Sequence, residues 1–223
     1  MIAGCSFNGN VPPQGENPAS DGSISPRPID GATPGGDGAV ADAEPSPGSP
    51  DAFVPQYSLA VNLAGDAHVG SDFPGNYLAD DGSYCGGNLW EVSVGIHNTV
   101  DDPLFQTNRY GTFTCAFGEG TMPMGDYSVT LLFGEVHRGS GCPSSGVTSR
   151  IFDVWLEGMR VMDDFDAVAA SGGCVASVLS STPMPVTRSF VTTVTDGTLN
   201  LETSGATNGM ISALRIESAI PIE

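Results

Sequence analysis

Several features are scarce or missing in this 223-residue sequence, and each absence argues against a class of protein. There is no lysine, and the seven cationic residues are all arginine. With 26 acidic residues, the sequence has a formal charge of −19. Such a surface repels phosphate, which argues against nucleic-acid binding and against a basic amphipathic membrane anchor. No run of 18 apolar residues occurs, so no transmembrane helix is predicted. Charged residues make up only 15%, and Gly and Pro are frequent, which excludes a coiled coil and disfavours a helical bundle.

Aromatic residues are nearly absent from residues 1–55, which contain ten of the 17 prolines among Gly, Ser, Asp and Ala. A segment of this composition buries too little apolar area to offset the entropy lost on ordering. We therefore expect a disordered, rather extended linker over residues 1–55 and a folded domain over residues 56–223.

The first six residues, MIAGCS, resemble the cleavage and lipidation box of bacterial lipoproteins. In that family the cysteine, here Cys5, is lipidated and becomes the mature N-terminus. Such a signal needs a basic start and an apolar stretch before the box, and four residues do not supply them. Either these elements lie upstream of this sequence, or the match is coincidental. The resemblance implies an exported protein, anchored through Cys5 at the outer membrane or cell surface.

The domain contains four further cysteines: Cys85, Cys115, Cys142 and Cys174. They form no CxxC pair, and the histidines are not at zinc-finger spacing, so we predict no metal and no cofactor. An even number of cysteines behind an export-like start predicts two disulfides in an oxidising compartment. Three pairings are possible. We favour Cys142–Cys174, since both lie in Gly/Ser-rich loops, with Cys85–Cys115 as the other; the alternative is four reduced, buried thiols.

The hydrophobic pattern of the domain has the period of two that is typical of strands. Apolar and polar residues alternate over 59–63, 127–133 and 152–157, and Asp196-Gly197 predicts a hairpin turn between two further strands. A last strand is predicted over 210–217, and no helix longer than a turn or two. Many short strands with Gly/Asp/Asn turns predict an all-β fold, a two-sheet β-sandwich of jelly-roll type.

Seven segments of the domain resemble, in order, those of malectin domains, and the most recognisable is DDPLFQTNRYG at 101–111. The others are residues 60–67, 79–87, 125–135, 150–158, 165–166 and 211–216. The resemblance implies a two-sheet β-sandwich whose ligand site lies in loops at one end. It further implies a carbohydrate-binding module that takes an oligosaccharide or polysaccharide and has no catalytic activity.

The family's binding positions fall on Tyr84, Tyr110, His137, Arg138 and Thr207 or Asn208. The two tyrosines match, whereas the family has two aromatic residues in place of His137 and Arg138, and an aspartate in place of Thr207-Asn208. We predict a carbohydrate site of Tyr84, Tyr110, His137, Arg138 and Asn208. Its arginine and histidine would suit an acidic sugar such as a uronate. The structural alternatives are core packing for the tyrosines, solvation for the His-Arg pair and a turn at Asn208-Gly209.

Other features of the domain leave further functions open. A glycoside hydrolase needs two carboxylates about 5–10 Å apart; Glu135 and Asp153, on strands predicted to be neighbours, are the candidates, although we expect both to pair with Arg109 or Arg150. Trp155, on the polar face of its strand, is either a second stacking surface or, as we expect, covered by a loop. The Asp-Asp pairs lack the spacing of a calcium loop and are expected in turns. The remaining alternative is a structural or adhesive envelope protein that kept the fold without sugar binding.

Overall fold

The computed structural model describes residues 55–138, 149–173, 183–205 and 209–219, which form thirteen strands and two short helices. The strands are β1 (Ser58–Asn62), β2 (His68–Gly70), β3 (Gly75–Ala79), β4 (Asn88–Glu91), β5 (Thr107–Gly111), β6 (Phe113–Phe117), β7 (Gly125–Phe133), β8 (Ile151–Leu156), β9 (Met159–Asp166), β10 (Val186–Val194), β11 (Leu199–Ser204), β12 (Gly209–Ile211) and β13 (Ala213–Ser218). The helices are α1 (Pro103–Gln106) and α2 (Ala167–Ser171). In the described part of the chain, neither helix is long and apolar enough to cross a membrane.

The largest sheet has six strands in the order β10-β7-β13-β1-β3-β2. Its central strand β7 alternates as its sequence predicts: Tyr127, Val129, Leu131 and Phe133 all point into one buried cluster. The facing layer comprises a four-stranded sheet, β6-β11-β8-β9, and a three-stranded sheet, β12-β5-β4. Apolar side chains from both layers fill that cluster, so the predicted all-β sandwich is confirmed.

One strand boundary differs from the prediction. The last strand, expected as a single run over 210–217, is divided at Ser212 into β12 and β13, which belong to different sheets. Ser212 is fully buried, its hydroxyl accepts a hydrogen bond from the Gly134 amide, and its own amide donates to the Leu132 carbonyl. These bonds satisfy the polar groups at the point where the chain passes from one layer to the other.

The second face of the six-stranded sheet is covered by the connection between β4 and β5. Leu104 and Phe105 of α1 pack there against Leu132 of β7. Asp101, just before α1, is buried, and its carboxylate accepts hydrogen bonds from the amides of residues 71–73 and contacts His68 Nε2 at 2.9 Å. Burial opposes ionisation, but the His68 and amide hydrogen bonds outweigh it and lower the pKa of Asp101. This carboxylate therefore acts as a turn anchor, as predicted for Asp101-Asp102. Asp163-Asp164 lies within strand β9, so the prediction of a turn was wrong for that pair.

Cys85 and Cys115 form a disulfide that joins the segment before β4 to strand β6, which confirms this part of the predicted pairing. Both cysteines are buried beside the main core cluster. The bridge closes a loop with a sequence separation of 30, and it indicates an oxidising compartment. Cys142 and Cys174 lie outside the described residues, as do Cys5 and all of the predicted linker except Pro55.

Candidate functional site

One face of the three-stranded sheet presents aromatic and amide side chains together. In the β4–β5 ladder Trp90 lies opposite Asn108, and Asn88 lies opposite Tyr110. Directly opposed residues of an antiparallel pair point to the same face, as do residues two apart on one strand. The four side chains therefore share a face, which places an indole and a phenol side by side with two amides.

Two polar groups on this face have no hydrogen-bond partner among the described residues. They are the indole Nε1 of Trp90 and the side-chain Nδ2 of Asn108, and both atoms are buried. Buried donors of this kind are nearly always satisfied, because leaving one unpaired costs about 1–3 kcal/mol. At these two directly opposed positions a ligand or an ordered water can supply the missing acceptors.

The segment after β7 brings His137 and Arg138 to the same place. The His137 ring packs against the Trp90 indole with its centroid 4.1 Å away, at an interplanar angle of 67°. The backbone there is held by Glu135, whose Oε1 accepts hydrogen bonds from the amides of His137 and Arg138 at 2.9 and 2.8 Å. Glu135 thus fixes the backbone from which these two side chains extend.

Glu135 is itself held by a buried ion pair with Arg150, the residue before β8. Both side chains are almost completely inaccessible to solvent. Burial lowers the pKa of Arg150, and the Glu135 charge opposes that effect. The positive charge of Arg138 lowers the pKa of Arg150 further. Burial, followed by the charge of Arg150, lowers the pKa of His137, so this ring is neutral at pH 7.

Tyr84 occupies a different position. Its carbonyl accepts a hydrogen bond from the Ala116 amide, and its ring stacks on Phe117 with the centroids 5.6 Å apart. Tyr84 precedes Asn88, the ladder partner of Tyr110, by four residues. It lines a separate cavity of about 350 Å³ together with Tyr57 and Glu119.

The structure thus brings together three of the predicted site residues, Tyr110, His137 and Arg138. Asn208 lies outside the described residues, so its assignment remains a prediction. Trp90 was missed by sequence reasoning, although a tryptophan within the polar segment Gly86–Glu91 was a usable signal. Its role depends on the register that sets it opposite Asn108, and a single sequence does not reveal that register.

The two carboxylates considered for a hydrolase do not form a pair. Glu135 follows β7 of the six-stranded sheet, whereas Asp153 lies on β8 of the four-stranded sheet, so the prediction of neighbouring strands was wrong. Asp153 contacts Arg160 at 3.5 Å and accepts a hydrogen bond from the Asp164 amide at 2.7 Å. The predicted pairing of Glu135 with Arg150 is confirmed. Arg109 pairs instead with Asp80 at 2.8 Å, because β5 lies nearer to the turn after β3.

Known proteins with related structures include enzymes and plant receptors. A beta-glucuronidase from Bacteroides uniformis superposes with a TM-score of 0.56 at 19% identity, over 74% of this chain and 18% of the enzyme. The ANXUR2 extracellular domain from Arabidopsis thaliana superposes with a TM-score of 0.54 at 13% identity, over 71% of this chain and 47% of the receptor. At these identities the likeness shows the fold alone.

Sequence comparison gives a plant relative and a matching family profile. A probable leucine-rich repeat receptor-like serine/threonine-protein kinase of Arabidopsis thaliana is 26% identical over 117 residues, which are 51% of this chain. This chain spans only 12% of that kinase's length. The profile of the malectin domain matches residues 57–214, a range that contains nearly all of the described strands and the candidate site. The chain therefore belongs to the malectin domain family.

Proposed function

We propose that this chain is a non-catalytic carbohydrate-binding module that holds a saccharide on the Trp90–Tyr110 face. The observation that carries the proposal is the pair of unsatisfied buried donors, Trp90 Nε1 and Asn108 Nδ2, beside two aromatic rings. A sugar presents apolar C–H faces that pack on aromatic rings and hydroxyl oxygens that accept hydrogen bonds. A single bound hexose would supply both kinds of contact.

The charge around the site favours an acidic sugar. Arg138 lies beside this face on a chain that carries −19, so it brings a guanidinium to a protein whose surface is mostly acidic. A guanidinium is well suited to bind the carboxylate of a uronate. His137 beside it is neutral at pH 7 and offers a ring nitrogen to a sugar hydroxyl.

A catalytic role is the weaker candidate. Glycoside hydrolysis requires two carboxylates that flank the bond to be broken. Glu135 is committed to Arg150 and to two backbone amides, and Asp153 lies on a strand of another sheet. Neither carboxylate is therefore placed to act as an acid or a nucleophile at the Trp90–Tyr110 face.

We further propose that the module is displayed on a bacterial cell envelope. The Cys85–Cys115 disulfide supports an extracytoplasmic location. The lipobox-like MIAGCS start and the Pro/Gly/Ser-rich segment after it support lipid attachment at Cys5 and a spacer between the membrane and the domain. Mass spectrometry of the membrane fraction of the producing cell would detect acylated Cys5; an unmodified, soluble chain would contradict the anchoring.

A glycan array that includes uronate-containing oligosaccharides tests the binding proposal, with the full chain purified under oxidising conditions. We expect binding that falls at least about tenfold in Trp90→Ala and in Tyr110→Ala. Tyr84→Ala is the matched control, because Tyr84 stacks on Phe117 and lines a cavity that includes neither Trp90 nor Asn108. The second candidate is a structural or adhesive envelope protein, favoured by the replacement of the family's aromatic pair by His137-Arg138. A folded protein that binds no glycan on the array would support it and would contradict the lectin proposal.

A further inference from the structure

The outer face of the four-stranded sheet carries a tryptophan among polar residues. On β8 the side chains of Phe152, Val154 and Leu156 are buried, so the alternating residue Trp155 points to the opposite face, away from the core. In the ladders Trp155 lies between Glu202 of β11 and Arg160 of β9. Both neighbours are exposed, and Trp155 itself is only partly buried.

The indole of Trp155 forms one wall of an open cavity of about 250 Å³. The rest of the cavity includes Thr114, Asn200 and Glu202, which supply a hydroxyl, an amide and a carboxylate. The backbone of Glu202 is paired in both ladders, whereas its carboxylate makes no hydrogen bond or ion pair with another described residue. Gly158 also lines the cavity and has open space where a side chain would stand.

We infer that this face is a second carbohydrate-binding surface, one that takes an uncharged oligosaccharide chain. An aromatic ring with planar hydrogen-bonding groups on either side matches the apolar face and the equatorial hydroxyls of a pyranose. The surface is a sheet face, which suits a chain lying along it better than a single sugar end. This surface is separate from the Trp90–Tyr110 site, because Trp155 lies on β8 whereas that site lies on β4 and β5.

The charge of the face selects an uncharged ligand. Glu202 lies opposite Trp155 in one ladder, and Asp153 and Glu157 lie two residues before and after it. Arg160, opposite Trp155 in the other ladder, is already paired with Asp163 at 2.8 Å and with Asp153 at 3.5 Å. A uronate or sulfated chain would meet net negative charge here and be repelled. The two surfaces therefore differ in the charge of the sugar that each accepts.

The chain contains two tryptophans, which makes a direct optical test available. The Trp90→Phe variant of the full chain leaves Trp155 as the sole tryptophan. It would be titrated with neutral hexasaccharides (cellohexaose, xylohexaose, laminarihexaose and mannohexaose) and, separately, with hexagalacturonate. We expect saturable changes in Trp155 emission with at least one neutral hexasaccharide and none with hexagalacturonate.

Calorimetry on further variants then assigns the binding surface. Trp155→Ala should lower affinity for the responding hexasaccharide about tenfold or more, and Trp155→Tyr should retain most of it. Met159→Ala is the matched control, because Met159 is an exposed apolar residue of the adjacent strand β9 and lies outside the cavity. Tyr110→Ala should leave this affinity unchanged, which separates the second surface from the first.

Several results would overturn the inference. A folded protein whose Trp155 emission responds to none of the neutral hexasaccharides has no such surface. Equal affinities in Trp155→Ala and the wild-type chain would place the binding elsewhere. Trp155 emission that is shielded from acrylamide in the free protein would show that another segment or a partner protein covers the face.

Discussion

The buried ion pair between Glu135 and Arg150 allows a quantitative prediction for the Glu135→Gln variant. Both side chains are almost fully inaccessible, at 0% and 2% exposure. Removing one partner of a buried pair leaves the other charge unpaired and costs about 3–5 kcal/mol. The glutamine oxygen can still accept the two amide hydrogen bonds, but its amino group then faces the Arg150 guanidinium, donor against donor. We therefore expect about 3–5 kcal/mol of destabilisation, the loss expected for an unpaired buried charge.

The Asp163→Asn variant is the matched control. Asp163 also pairs with an arginine, Arg160, at 2.8 Å, but the two side chains are 63% and 48% exposed. Exposed pairs contribute about 0–1 kcal/mol because water screens them. The two variants therefore make the same chemical change in opposite environments.

Urea unfolding followed by circular dichroism measures both variants, with a thermal melt in parallel. For a domain of this size we expect Glu135→Gln to melt roughly 6–20 °C lower, and the control to change by less than about 4 °C. Equal stability losses in the two variants would refute the reasoning.

Three further predictions concern acid, reduction and pH. Hydrogen bonds lower the pKa of Asp101 in the fold, so its contribution to stability is present above its unfolded pKa of about 3.9 and is lost as the pH falls through the lowered pKa. The free energy of unfolding of Asp101→Asn should lie about 2–4 kcal/mol below that of the wild type at pH 7. This difference should close in acid. Reduction of the Cys85–Cys115 bridge, with its sequence separation of 30, should cost about 3.5 kcal/mol in urea unfolding, and a cost near zero would contradict the loop-entropy argument. Protonation of His137, whose pKa is lowered, should strengthen uronate binding as the pH falls below its ordinary value of about 6.5, whereas His137→Gln should show no such rise by calorimetry.

Local patterns in the sequence predicted the elements that depend on local rules. The alternation over 127–133 and 152–157 follows from the pleat of a strand that is buried on one face, and it gave β7 and β8 correctly. Asp196-Gly197 predicted the turn between β10 and β11, and the two cysteines of the Cys85–Cys115 bridge were paired correctly.

Features that depend on long-range register were not predictable from one sequence. The placement of Trp90 beside His137 requires the β4–β5 pairing and the course of the chain after β7, neither of which leaves a local signal. The partner of Arg109 was missed for the same reason, since Asp80 approaches it only through the packing of the turn after β3. Family resemblance led to the proposal of Tyr110, His137 and Arg138, whereas the position of the Trp90 indole beside them came from the structure.

The most direct test of the proposed carbohydrate site is the indole signal of Trp90 in a ¹H–¹⁵N correlation spectrum. The chain has two tryptophans, hence two indole signals, and Trp155→Phe assigns them. Since the Trp90 Nε1 has no partner among the described residues, an oligosaccharide from the array should supply an acceptor and shift the Trp90 signal downfield. A uronate oligosaccharide that saturates the protein while the Trp90 signal stays fixed would contradict the proposed site.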